Sequence, residues 1–434
     1  MAASLAAPPI EPPVAAARPA AEEGVRHREA PLLNLGAAVA AVIIFLLGLG
    51  ALSVTAGWAS RRYVHTLAPR LFDQKTRGLV LQREAFRHPD LLPVYGSSEL
   101  VWSSSYHALD FFRTYPTGFG VFAVGARGTP LLVTLQSVAA TGELLRGKRV
   151  VISLSPVNFA RPLDPESRDD GSYAGNFSRL HAGELVFGSS LSVPLRRRLA
   201  ARLLDYPEAL EPDPLLHLGA RSLADNSLGG RALFAALRPL GALQTLFLHR
   251  ADEWRTLQYI ARIGRHAPAV RRRPRAVSWD SLVVAAEREH RENSDNNPFG
   301  VENGWWSRFG PSVLRGRKET LSDAELTRRI DGAPAWNDLV LLLAALRELG
   351  AEPLVISMPF HGVFFDAAGM TPGGRATYYD TLRRMTSEAE VRLVAFEEHD
   401  GDRWFLNDPG SHLSPKGWVF YDRAFDEFYR ATAR

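Results

Sequence analysis

An α/β fold built on a mainly parallel sheet is what this sequence predicts, and three observations predict it. Short apolar runs of strand length recur along the chain and stop at Gly, Ser or Pro. Stretches with helically spaced apolar residues separate those runs, so successive strands cross over and lie parallel. The chain has 434 residues and is 46% apolar, enough for one large domain or two ordinary ones.

Residues 1–31 are rich in Ala, Pro and Glu, a composition that predicts a disordered tail. No charged residue then occurs from Ala30 to Ser60. About 20 apolar residues span a bilayer core, so one transmembrane helix is expected over residues 32–56. The run is longer than the ~7–15 residues of a signal-peptide core, which makes a retained anchor the reading and a cleaved signal its alternative. Arg18, Arg26 and Arg28 precede the span while Arg61, Arg62 and Arg70 follow it, so charge bias assigns no orientation. The short tail favours a tail-inside, domain-outside arrangement.

A connecting segment, residues 57–88, is expected to be helical and to lead into an α/β domain over 89–434. Leu91–Tyr95 reads as its first strand. Arg149–Pro156, Pro353–Pro359 and Arg392–Phe396 read as later ones. Pro130–Gly142 has helical spacing. So do Trp336–Leu349, closed by Gly350, and Gly374–Glu388. A last helix covers Val419–Arg430. Residues 180–290 are dominated by helical patterns (Val193–Leu204, Gly230–Leu240, Ala242–Ile263) and read as an insertion between two halves of the sheet.

Composition removes several function classes. The net charge of +4 is small for this length, so nothing global calls for nucleic acid. The basic residues are nearly all arginine, with lysine only at positions 75, 148, 318 and 416. The absence of cysteine excludes disulfides, thiolate metal sites and a cysteine nucleophile. Twelve histidines are scattered without a His-Glu-x-x-His spacing, and no metal or cofactor is expected.

Two distant segments carry the chemistry. Gly96-Ser97-Ser98 ends an apolar strand, which makes Ser98 a candidate nucleophile with Ser97 as the alternative. Asp408 and His412, in Asn407-Asp408-Pro409-Gly410-Ser411-His412, are a candidate acid and base. Serine needs a base to take its proton, and the base needs an orienting acid. Singly, the first segment is also an ordinary helix start with Glu99 in its first turn, and the second an ordinary turn. Acyl chemistry further needs donors for an oxyanion. Gly125, in Gly125-Ala126-Arg127-Gly128, and Asn158 both follow expected strand ends, where sites of open α/β sheets form.

These blocks occur in a recognisable order. Gly96-Ser97-Ser98-Glu99-Leu100 comes first, then Val124-Gly125-Ala126-Arg127-Gly128 and Ser155-Pro156-Val157-Asn158-Phe159. Asn296-Asn297-Pro298-Phe299-Gly300, Trp336-Asn337-Asp338-Leu339 and His412-Leu413-Ser414-Pro415-Lys416-Gly417-Trp418 follow. The series resembles the DltD family, the D-alanyl-lipoteichoic acid biosynthesis proteins, from the anchor to the C-terminus. The resemblance implies an SGNH/GDSL-hydrolase-like, flavodoxin-like sheet with one N-terminal transmembrane helix and an extracytoplasmic domain. It implies D-alanylation of a cell-envelope polymer, teichoic acid or an equivalent. The partners it implies are a membrane-bound O-acyltransferase of the DltB kind, a D-alanyl carrier system, the anionic polymer and the membrane. Ser98 matches the family's serine, His412 its general base and Asp408 the acid.

Two blocks depart from the pattern. The usual spacing is Asp-x-x-His, whereas Asp408 and His412 stand four apart, which leaves Asp402 or Asp400 as alternative partners. A Ser-Pro-Gln-Trp-Phe-like block reads Ser155-Pro156-Val157-Asn158-Phe159 here. Alternative functions remain open at this point. One is an envelope esterase or thioesterase, from which an apolar site near Trp305-Trp306 and Phe360 would turn the chemistry toward transfer. The other is a non-catalytic scaffold, for which the arginine cluster between Arg250 and Arg275 could attract an anionic polymer or lipid surface.

Overall fold

The computed structural model describes residues 23–101, 103–160, 170–263, 273–315, 322–410 and 412–431. The chain divides into two compact units, Met1–Val54 and Thr55–Arg434. Within the first, the described residues belong to a single continuous helix, Glu23–Leu67. This helix begins inside the stretch expected as a disordered tail and runs past residue 56; residues 1–22 lie outside the described part. Its apolar portion, Leu35–Leu67, is 33 residues long, about 50 Å at 1.5 Å per residue. That exceeds the ~30 Å of a bilayer core. Its large apolar side chains from Leu35 to Leu47 are exposed.

The second unit is built on five parallel strands in the order β2-β1-β3-β4-β5. They are β1 (Leu91–Tyr95), β2 (Gly120–Val124), β3 (Arg149–Leu154), β4 (Glu352–Ser357) and β5 (Arg392–Ala395). This is the flavodoxin-like order, whose switch point lies between β1 and β3. In register, Tyr95 pairs with Val124 and with Ile152, and Leu154 pairs with Ser357. The strand carboxyl ends therefore share one edge of the sheet.

Strand residues alternate between two cores because successive side chains point to opposite faces. Tyr95, Phe122, Ile152 and Val355 pack on one face with helices Leu131–Thr141, Pro334–Glu348 and Pro372–Glu388. Val94, Val121, Val151 and Leu354 pack on the other with helices Ala108–Thr114 and Pro415–Arg430. Strands covered on both faces read as unbroken apolar runs, which is why they were visible in the sequence.

Between β3 and β4 every described element is helical, so the insertion extends well past residues 180–290 on both sides. Two stretches expected as separate helices form one, Leu228–Ile263, with Pro239 inside it. Pro239 gives up the bond to the carbonyl of Ala235, but Ala235 is exposed, so water can satisfy that carbonyl.

One buried charge closes the entry to this unit. Lys75 is fully buried, and its ammonium donates to the carbonyls of Ala68 at 2.6 Å and Arg70 at 2.9 Å. These are carbonyls just past the end of helix Glu23–Leu67, which lack helical partners. Burial pushes the Lys75 pKa well below its usual range. The Phe122 ring face, 4.1 Å from Nζ, adds a cation–π contact.

Candidate active site

A two-stranded hairpin that packs against the Ser98–Leu100 turn carries Asp408 and His412, the candidate acid and base. Its strands are β6 (Leu406–Asp408) and β7 (His412–Leu413). Asp408 and His412 are cross-strand partners in the antiparallel ladder. Their side chains meet directly, His412 Nδ1 lying 2.7 Å from Asp408 Oδ2. The other carboxylate oxygen, Oδ1, accepts the Gly410 N–H at 2.7 Å. The turn thus holds the acid in place, and the four-residue spacing is accommodated by the hairpin.

The alternative acids are engaged elsewhere. Asp402 accepts from Lys416 Nζ at 2.6 Å and from the Trp404 N–H at 3.0 Å. Asp400 accepts from Arg375 Nε at 2.8 Å and from the Tyr379 hydroxyl at 2.9 Å.

The hairpin is clamped by the block that follows it. Ser414 caps helix Pro415–Arg430, accepting from the Gly417 N–H at 3.1 Å and donating to Trp404 O at 2.6 Å. Lys416 adds a second ion pair, to Glu287 at 2.7 Å. A side chain at Gly417 would overlap the carbonyl of Phe405, so the helix start can approach the strand only as glycine. Trp418 is buried against the His107 ring at 4.1 Å.

Ser97 and Ser98 sit half-buried at the end of β1, where Ser98 opens a single 3₁₀ turn, Ser98–Leu100. Strand β7 packs against that turn. Glu99 folds back beneath it, and its carboxylate accepts the Ser97 N–H at 2.9 Å. That carboxylate fills the space a Cβ at Gly96 would need. Glu99 is therefore an interior support for the serine turn. Burial raises its pKa, against the backbone bond from Ser97 and the nearby His412 ring.

Gly125, at the end of β2, lies against Gly96, and any Cβ at Gly125 would overlap the Gly96 carbonyl. Its own carbonyl accepts from Thr76 Oγ1 at 3.3 Å. Asn158 is exposed on the short helix Val157–Ala160 after β3. Both oxyanion candidates are therefore at the strand carboxyl edge. Gly125→Ala is expected to cost about 1–3 kcal/mol through overpacking. It should depress activity further, because the displaced backbone adjoins Ser97. Urea denaturation and an activity assay on one preparation check both effects.

His412 has competing influences on its charge. Burial favours the neutral ring, but the hydrogen bond and charge of Asp408, with Glu99 behind, outweigh it and raise the pKa above the ordinary histidine value. Arg127, exposed beside Gly125, opposes them. His361, just beyond β4, is buried and its pKa is pushed down to about 4 by burial. It stays neutral within reach of the Asp408 charge, and neither of its ring nitrogens has a partner among the described residues.

The roles of Glu99, Arg127 and His361 come from tertiary placement. In the sequence, Glu99 lies inside the serine block and Arg127 inside the Gly125 block, whereas His361 lies in neither. Asn297 shapes its loop, accepting from the N–H groups of Phe299 and Val301 at 3.1 Å each. That loop is tied to β6 by the Glu302 N–H on Asn407 O at 2.8 Å. Trp305 and Trp306 join Phe299 and Phe364 in one aromatic cluster, while Phe360 lies in the core beside Tyr378.

Among the described residues, one set of groups has donor atoms close enough for a metal, His65, His88 and Asp90, all within 4.8 Å of one another. His65 Nε2 is 3.0 Å from Asp90 Oδ2, and His88 Nε2 is 3.2 Å from Glu84 Oε1. Those pairings account for the cluster as hydrogen-bonded pairs. It is built from the end of the long helix and the entry to β1, apart from the His412 hairpin in the chain.

The sequence pattern of the family described as "DltD protein" matches residues 68–430. The chain belongs to the DltD family. Protein DltD of Bacillus subtilis (strain 168) is 26% identical over 395 residues, covering 90% of this chain and 96% of that protein. Protein DltD of Staphylococcus aureus is 23% identical over 398 residues, covering 90% and 94%. Protein DltD of Lacticaseibacillus rhamnosus is 20% identical over 380 residues, covering 87% and 86%. The DltD match thus takes in the whole five-stranded sheet, the helical insertion and the Asp408–His412 hairpin.

Proposed function

We propose that this chain is a membrane-anchored, extracytoplasmic serine acyltransferase that places D-alanyl groups on an anionic envelope polymer. Membership of the DltD family supports a role in D-alanylation of teichoic acid or its equivalent, alongside other Dlt components. A membrane-bound O-acyltransferase and a D-alanyl carrier are the proposed source of the acyl group. The apolar helix Leu35–Leu67 supports the anchor.

The observation that carries the chemistry is the Asp408–His412 pair, held at 2.7 Å on a hairpin that packs against the Ser98 turn. Asp408 holds Nδ1, so the opposite nitrogen, Nε2, takes the Ser98 proton. Ser98 Oγ then attacks the carbonyl carbon of a D-alanyl ester or thioester. The tetrahedral intermediate collapses, and the leaving alcohol or thiol departs with the proton from His412. A polymer hydroxyl attacks the acyl-serine, gives its proton to Nε2, and the proton returns to Ser98 Oγ. Backbone N–H groups beside Ser98 and Gly125, with the Asn158 amide, are the proposed oxyanion donors. Arg127, exposed beside Gly125, favours an anionic acceptor.

The test is ester-linked D-alanine on the envelope of a strain lacking its own copy, complemented with wild type or with Ser98→Ala. Loss of the ester at normal protein level is expected. Wild-type ester content with Ser98→Ala would rule out an acyl group on Ser98, and the same result with Ser97→Ala as well would remove serine catalysis altogether.

A further inference from the structure

Helix Leu228–Ile263 is inside out for a helix on a water-facing surface. Such helices bury their large apolar side chains and expose polar ones. Here the buried stripe is small or polar, formed by Gly230, Gly241, Thr245, Asp252 and Thr256 with Ile260 at its end. Gly241 lies so close to the Phe187 ring that a Cβ would overlap it, and Gly183 faces Thr245 in the same way. The large side chains point outward: Leu233, Leu240, Leu243, Leu246, Phe247 and Trp254 are all exposed. Leu233, Leu240, Leu243 and Phe247 follow one another at spacings of seven, three and four, so they form one stripe. An apolar groove of about 440 Å³, bounded by Leu215, Leu243 and Phe247, opens along it. Exposed apolar area of this extent marks an interaction surface.

We propose that this outer face lies in the interfacial layer of a lipid bilayer, with the groove receiving a lipid acyl chain. Three features select lipid as the occupant. Arg255 and Arg262, seven residues apart and exposed, continue the side of the apolar stripe toward the end of the helix and match anionic headgroups. Trp254 stands at the end of the stripe, where an indole suits the boundary between headgroups and water. The C-terminal half of the helix is fastened to the segment that follows the long apolar helix in the chain. Tyr259 stacks on Phe72 with ring centroids 3.6 Å apart, and Asp252 accepts the N–H groups of Leu79 at 2.7 Å and Val80 at 2.9 Å. The proposal rests on the anchoring reading above only in requiring the chain to reside at a membrane.

The absence of cysteine makes the test direct. Single cysteines at Leu46, Leu243 and Glu208 of the full chain are labelled with a fluorophore. The labelled chains are reconstituted into vesicles of phosphatidylethanolamine with phosphatidylglycerol. Nitroxide-bearing lipids quench from the acyl layer and iodide quenches from water. The label at position 243 is expected to be quenched by shallow nitroxides and shielded from iodide, while the label at position 208 behaves oppositely. Arg255→Gln and Arg262→Gln should each lower the docked-to-undocked ratio about fivefold in these vesicles, and little in phosphatidylcholine alone.

Iodide quenching at position 243 equal to that at position 208 would overturn the proposal. So would shielding from both quenchers, which would mean a protein partner or a second copy covers the face. Lipid quenching at position 46 without it at position 243 would leave the anchor standing and remove only the docking. Envelope alanylation, measured separately, tests the catalytic reading on its own.

Discussion

Replacing His412 with alanine is expected to lower D-alanylation by about ten-thousandfold or more at unchanged protein level, the scale seen when the base of a serine triad is removed. The ring is half-buried and the hairpin is held by Ser414, Lys416 and Gly417, so the fold should tolerate the truncation. Asp408→Asn should also cost orders of magnitude, because an amide can hold the wrong tautomer. It carries a second signature in pH. A base works only when neutral, so the rate falls as pH drops through its pKa. Asp408 raises that pKa, which sets the acid limb of the wild-type profile above the ordinary histidine value of about 6.5. With Asp408→Asn, burial dominates and the limb moves to lower pH. A limb that stays in place would separate Asp408 from the titration of His412.

The second large effect is on stability. Asp338, in the Trp336-Asn337-Asp338 block, meets Arg202 Nε at 2.7 Å and Nη2 at 3.1 Å in a two-pronged pair. Both groups are buried, and the pair ties the insertion to helix Pro334–Glu348. Asp338→Ala leaves the buried guanidinium with only the exposed Asp205 carboxylate, at 2.9 Å, to balance its charge and should cost about 3 kcal/mol in urea denaturation. Replacing both members by apolar residues, Asp338→Leu with Arg202→Met, should recover most of that loss. If the single change costs under about 1 kcal/mol, the pair is not sealed from water in solution.

These residues also show what the sequence could reveal. Strands β1, β3, β4 and β5 were legible because each is an apolar run between breakers. Strand β2 was legible only through the Gly125 loop that ends it. Asp408 and His412 were legible as a candidate pair, and only the hairpin shows that Asp408, rather than Asp400 or Asp402, meets the His412 ring. Glu99 looked like a first-turn carboxylate, and only its burial beneath Ser97 reveals a support. Asp338 stood in the sequence only as part of the Trp336-Asn337-Asp338 block, and the structure makes it half of a buried ion pair. The two helical patterns on either side of Gly241 form one helix, because Gly241 packs against the Phe187 ring without interrupting it.

The hairpin carries one more consequence. Asp408 and His412 are brought together as facing residues of a hairpin, whose turn also holds the Asp408 carboxylate through the Gly410 N–H. A search pattern that demands a fixed count between aspartate and histidine would pass over chains such as this one. The feature to look for is parity: two strands whose facing positions are an acid and an imidazole, followed by a Ser-Pro helix start.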